Sequence, residues 1–80
     1  MNLKDGLAQL IQDFGKSPYN NCDISEMKKH INEVLGKCGD TAPQRALIKS
    51  FQTKLLNKND RNEILLMLSD KMFALAGQGI

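Results

Sequence analysis

Apolar residues recur along this chain with the period of an α-helix, in four separate blocks. In the first, Leu3, Leu7, Leu10, Ile11 and Phe14 share one helical face. Gly15 supplies the stop, and Ser17-Pro18 prevents continuation. The stretch from Lys16 to Cys22 reads as the longest loop, polar apart from Tyr19. In the second block the stripe is Ile24, Met27, Ile31, Val34 and Leu35. Asp23 is its expected N-cap with Glu26 at N3, and Gly36 or Gly39 is expected to take a left-handed C-terminal position.

The third block opens at Thr41-Ala-Pro-Gln, where Thr41 caps, Pro43 sits in the first turn and Gln44 can bond back. Leu47, Ile48, Phe51 and Leu55 face inward, and Asn57-Lys-Asn-Asp60 breaks the pattern. Asp60 caps the fourth block with Glu63 at N3, and Gly77 ends it. No stretch alternates with the two-residue period of a strand. Short connections between consecutive helices favour antiparallel neighbours. The expected fold is therefore all-α, a compact four-helix bundle forming one domain over residues 1–80. A three-helix core with a loosely attached first helix is the variant.

The fourth block carries more apolar residues than one face can use. On a helical wheel Ile64, Leu75, Leu68, Met72, Leu65 and Ala76 span roughly 120°, enough to serve a core. Leu66 and Phe73 lie together on the far side, and Met67 with Ala74 shares a third direction. Either the other helices pack around this one on several sides, or Leu66, Phe73 and Met67 line an interface with another protein or a second copy.

Composition narrows the chemistry. The chain has 80 residues, 41% hydrophobic and 25% charged, with a net charge of +2. That is ordinary globular composition, with less basic excess than a dedicated nucleic-acid binder of this size carries. Ser69, Asp70 and Lys71 interrupt the longest apolar run, which falls short of the ~18 residues of a membrane span. The first residues lack the apolar segment of a signal peptide, so the expected location is cytoplasmic.

The two cysteines, Cys22 and Cys38, flank the second helix. About thirteen residues at ~1.5 Å each would hold them roughly 20 Å apart, beyond the reach of a disulfide, and free thiols are expected. The same spacing argues against a zinc site from Cys22, His30 and Cys38. His30, the only histidine, falls at the edge of its helix's apolar stripe. Most acidic residues stand at helix N-termini, where they cap and oppose the dipole. No phosphate loop, nucleophile elbow or metal-helix motif occurs. No catalytic residue, cofactor or metal is expected.

One nucleic-acid reading survives as the alternative. The second and third helices could form a helix-turn-helix, with Arg45, Lys49 and Gln52 on one outward face of the third. The turn from Gly36 to Asp40 is longer than the usual 3–4 residues of that motif, and nucleic acid is not the expected partner. The expected function is a non-catalytic protein-binding module: an adaptor, inhibitor, immunity-type or chaperone-like accessory, with a homodimer as one form of the association.

Overall fold

The computed structural model of the chain describes residues 2–77. Four helices follow one another: α1 Leu3–Phe14, α2 Ile24–Gly36, α3 Ala42–Leu55 and α4 Arg61–Gly77. A single 3-10 turn, Tyr19–Asn21, lies between α1 and α2, and no strand occurs among the described residues. A side chain caps each helix at its N-terminus. Asp23 Oδ1 accepts from Glu26 N at 2.8 Å and Thr41 Oγ1 from Gln44 N at 3.3 Å. Asp60 Oδ1 accepts from both Asn62 N and Glu63 N. Asn2, which the hydrophobic pattern does not single out, caps α1 by accepting from Asp5 N at 2.8 Å. Each cap satisfies N–H groups that the helix itself cannot, for about 1 kcal/mol.

Contacts between helices fix their directions. Arg61, at the start of α4, bonds to the carbonyl of Phe14 at the end of α1. At the other end Leu3 of α1, Leu75 of α4 and Leu47 of α3 line one recess. Thus α1 and α4 run antiparallel. Lys28 of α2 reaches the Leu56 carbonyl beyond α3, and Asn32, one turn later, meets Gln52, one turn earlier. Thus α2 and α3 run antiparallel. His30 of α2 meets Asp13 near the end of α1, and Thr41, beyond α2, lines a recess with Asn2 and Leu3 at the start of α1. The result is an up-down-up-down bundle, 32 × 21 × 19 Å.

The core is built from the stripes that the sequence presents. Leu3, Leu7, Leu10 and Phe14 are buried against Met27, Ile31, Val34 and Leu35 of α2, Ile48, Phe51 and Leu55 of α3, and Ile64, Leu68 and Leu75 of α4. The first helix is therefore not loosely attached: it packs on both α2 and α4, because four of its five stripe residues are buried and the fifth, Ile11, packs against the core's edge. Ala76 is exposed, so the core arc of α4 is narrower than the wheel allows.

Two local expectations are corrected. Neither Gly36 nor Gly39 has a positive φ. Gly36 is the last residue of α2, and Lys37, in ordinary right-handed geometry, closes the turn by donating to the Val34 and Leu35 carbonyls. Gly39 matters for space instead, since a Cβ there would lie 2.9 Å from Arg45 Cγ. Gln44 does not complete a capping box: its Oε1 is buried with no partner among the described residues. The expected stop at Gly77 coincides with the last described residue. Both cysteines are free, Cys38 buried and Cys22 half-buried. No helix among the described residues is long and apolar enough to cross a membrane.

Candidate functional site

The surplus apolar residues of α4 divide between two surroundings. Leu66 is 61% and Phe73 69% exposed. Seven residues apart on one helix, they stand two turns, roughly 10.5 Å, from each other along the axis and form a ridge on the outer face. Ile64, Leu68 and Leu75 on the opposite face are buried. Met67 behaves differently. It is half-buried, packs against the core, and with Phe51 and Ala74 supplies the apolar lining of a groove between α3 and α4. Ser50, Lys54, Asp70 and Lys71 complete this groove, whose volume is about 250 Å³. On the wheel Asp70 lies between the ridge and the groove, so the two features share one side of the bundle.

Leu56, 73% exposed, is a third large apolar residue in solvent, and the periodicity does not flag it. The doublet Leu55-Leu56 was its signal: only the first of the two can follow the α3 stripe inward. Its carbonyl accepts from Lys28 of α2.

Arg45, Lys49 and Gln52 do share a surface. They line a shallow depression with Leu35, Gly36, Gly39 and Ile48 where α2 turns into α3. Two of the three are engaged inside the domain. Arg45 Nη1 donates to the Gly39 carbonyl at 3.1 Å, and Gln52 Nε2 donates to Asn32 Oδ1 at 3.2 Å. A contact to phosphate or base through either would compete with these bonds.

The densest polar cluster joins residues distant in sequence. Tyr19, from the loop, stacks on His30 of α2 with ring centroids 4.0 Å apart, and Phe14 stands edge-on to both. His30 Nε2 lies 2.7 Å from Asp13 Oδ2, while Nδ1 is buried with no partner among the described residues. One ring nitrogen is thus engaged by a carboxylate and the other is shut off from solvent, an arrangement suited to tethering α1 to α2. Arg61 closes the same corner. Its Nη2 donates to the carbonyls of Phe14 and Tyr19, each at 3.1 Å, and its Nη1 to that of Cys22 at 3.2 Å. A planar guanidinium with several donors can bind three carbonyls in this way, and its charge sits favourably at the C-terminal end of α1.

The thiols differ in setting. Burial in the apolar interior pushes the Cys38 thiol above its ordinary pKa, and the carboxylates of Asp40 and Asp5 act in the same direction. Cys38 Sγ donates to the Val34 carbonyl, and Cys22 Sγ to that of Tyr19. No group of three or more His, Cys, Asp or Glu side chains among the described residues is arranged to hold a metal ion. Compared with protein families, with curated proteins and with solved structures, the chain finds no match.

Proposed function

We propose that this chain is a non-catalytic protein-binding module that acts through the outer face of α4. It would serve as an adaptor, inhibitor, immunity-type or chaperone-like accessory. The observation that carries the reading is the exposure of Leu66 and Phe73 on one stripe of a helix whose opposite stripe already serves the core. Single exposed apolar residues are ordinary on protein surfaces. Two large ones in register, beside a partly apolar groove, form a patch of the kind that marks interaction sites. Burying what these two side chains expose would contribute about 2–4 kcal/mol to association. Free thiols fit a reducing compartment, and the cytoplasm is the proposed site of action.

The DNA-binding alternative draws less support, because Arg45 and Gln52 are already hydrogen-bonded within the domain. The test of the main reading is affinity capture from the native source with wild type and with the Leu66→Lys/Phe73→Lys double variant, each verified as helical by circular dichroism. A protein retained by wild type and lost by the variant supports the reading. Equal retention by both refutes a role for the ridge.

A further inference from the structure

We propose that the depression where α2 turns into α3 is a second docking site, and that its occupant is an acidic helical segment of another protein. On the wheel Arg45, Lys49 and Gln52, which line it, fall within roughly 60° of one another. Ser50 and Lys54, which line the α3–α4 groove, fall on the far side of α3. This site therefore stands apart from the face given to α4.

Two glycines shape the site. A glycine in a helix weakens it unless the backbone or the surroundings require one. At Gly36 neither does. Its φ is not positive, and a Cβ there would meet nothing within 4 Å. Gly36 lines the depression, so its missing side chain leaves open floor. At Gly39 the need is steric and concerns Arg45, since a Cβ would lie 2.9 Å from Arg45 Cγ. Without one, the arginine stem lies against the turn and its Nη1 donates to the Gly39 carbonyl. That bond holds a guanidinium at the rim before any partner arrives. Its Nε and Nη2 have no partner among the described residues, and neither has Lys49 Nζ.

Charge and shape select the occupant. Arg45 and Lys49 stand one turn apart on α3, roughly 6 Å along its axis. Among the described residues no acidic side chain lines the depression; Glu33 and Asp40, the acids nearest in sequence to the two glycines, lie outside it. The remaining floor is apolar, from Leu35 and Ile48. Two glutamates four residues apart on a helix match the spacing of the cations, and their apolar stems suit the floor. A guanidinium fork binds a carboxylate through two parallel bonds. The volume, about 440 Å³, is that of a ligand pocket, yet the depression is shallow and covers one side of its occupant, as a docking surface does. A DNA duplex is too broad to enter and would have to draw Arg45 away from Gly39. Two cations also neutralise few phosphates.

An NMR titration of the isotope-labelled full chain tests the proposal. The probe is an end-capped, alanine-rich helical peptide with glutamates four residues apart, added up to millimolar concentration; the control peptide has glutamine at those positions. The amide signals of Gly36, Gly39 and Lys49 should move with the glutamate peptide and stay with the control. Lys49→Glu should weaken binding roughly tenfold, since it replaces an attraction with a repulsion. Gly36→Leu should abolish binding by filling the floor. Its melting temperature should equal or exceed that of wild type, because leucine favours the helix and a Cβ there meets no neighbour, so the loss is not a loss of fold. Leu66→Lys/Phe73→Lys should bind the peptide as wild type does, which separates this site from the face of α4. No movement at these amides, equal movement with the glutamine control, or unchanged affinity in Gly36→Leu would overturn the proposal. A short DNA duplex that moves the same amides at lower concentration than the peptide would overturn it in favour of nucleic acid.

Discussion

Replacing Arg61 with methionine keeps most of the side chain's length and removes its guanidinium. Three carbonyls lose a charge-assisted hydrogen bond. Tyr19 O keeps other donors, the backbone N–H and thiol of Cys22, so the main losses fall on Phe14 O and Cys22 O. A hydrogen bond to a charged group contributes about 1.5–3 kcal/mol net. These are only partly buried, so water replaces some of that, and the expected loss is about 2–4 kcal/mol. The total stability expected of an 80-residue domain is only ~4–12 kcal/mol, so the change should be conspicuous. Urea unfolding followed by far-UV circular dichroism reads it directly, with an unchanged m-value showing that the two-state comparison holds. The corresponding fall in melting temperature is roughly 10–30 °C. Arg61→Lys retains the charge but not the fork, and should fall between wild type and Arg61→Met. A loss below ~0.5 kcal/mol for Arg61→Met would show that these bonds add nothing net, and the corner would have to be held by packing alone.

Asp60→Ala removes the acceptor for two N–H groups at the start of α4 and should cost about 1 kcal/mol by urea unfolding; an unchanged midpoint would mean that water caps that helix equally well. Cys38 should resist alkylation in the native state while Cys22 reacts, as its burial implies. Because the folded state holds the Cys38 proton more tightly than the unfolded chain, that contribution to stability is complete below the ordinary thiol pKa. It is lost as pH rises through the raised folded value, and a pH series against Cys38→Ala should show the decline only in wild type. Random duplex DNA at ~50 mM salt, where non-specific phosphate binding is strong, should give no gel shift with micromolar protein. A shift that Arg45→Ala plus Lys49→Ala abolishes would reinstate the DNA-binding reading.

The legible part of this molecule was local. Helical period, Pro43, and the caps Asp23, Thr41 and Asp60 concern residues within four positions of one another, and each reads directly from the chain. Asn2 belonged to the same class, since a residue with a short polar side chain just before Leu3 is an ordinary cap. The turn after α2 departs from the sequence expectation because a glycine permits a left-handed conformation without requiring one. The corner formed by Phe14, Tyr19, His30 and Arg61 was not legible. Arg61 bonds to residues 39, 42 and 47 positions away, and nothing in its neighbourhood shows that the ends of α1 and the loop turn will meet there. Tyr19 gave a partial sign, as the one aromatic in a polar loop. For the candidate site, the wheel sets Leu66 and Phe73 opposite the core arc and Met67 with Ala74 in a third direction, whereas the interface reading takes Leu66, Phe73 and Met67 together. Whether a flanking residue faces solvent or a neighbouring helix depends on where α3 lies, and one helix's pattern does not contain that information.

Because α4 is taken to spend Leu66 and Phe73 on association and not on folding, the stability of Leu66→Lys/Phe73→Lys tests the account most directly. The comparison belongs at protein concentrations low enough that the wild-type urea midpoint no longer depends on concentration, so that any association drops out. Both side chains are more than half exposed, so the double variant should unfold within ~1 kcal/mol of wild type, as surface changes do. Leu68→Lys, only two residues from Leu66 but fully buried, should fail to fold, because it would bring an unpaired charge into the core. If the double variant instead collapses as Leu68→Lys does, Leu66 and Phe73 belong to the core of the monomer and the binding face does not exist.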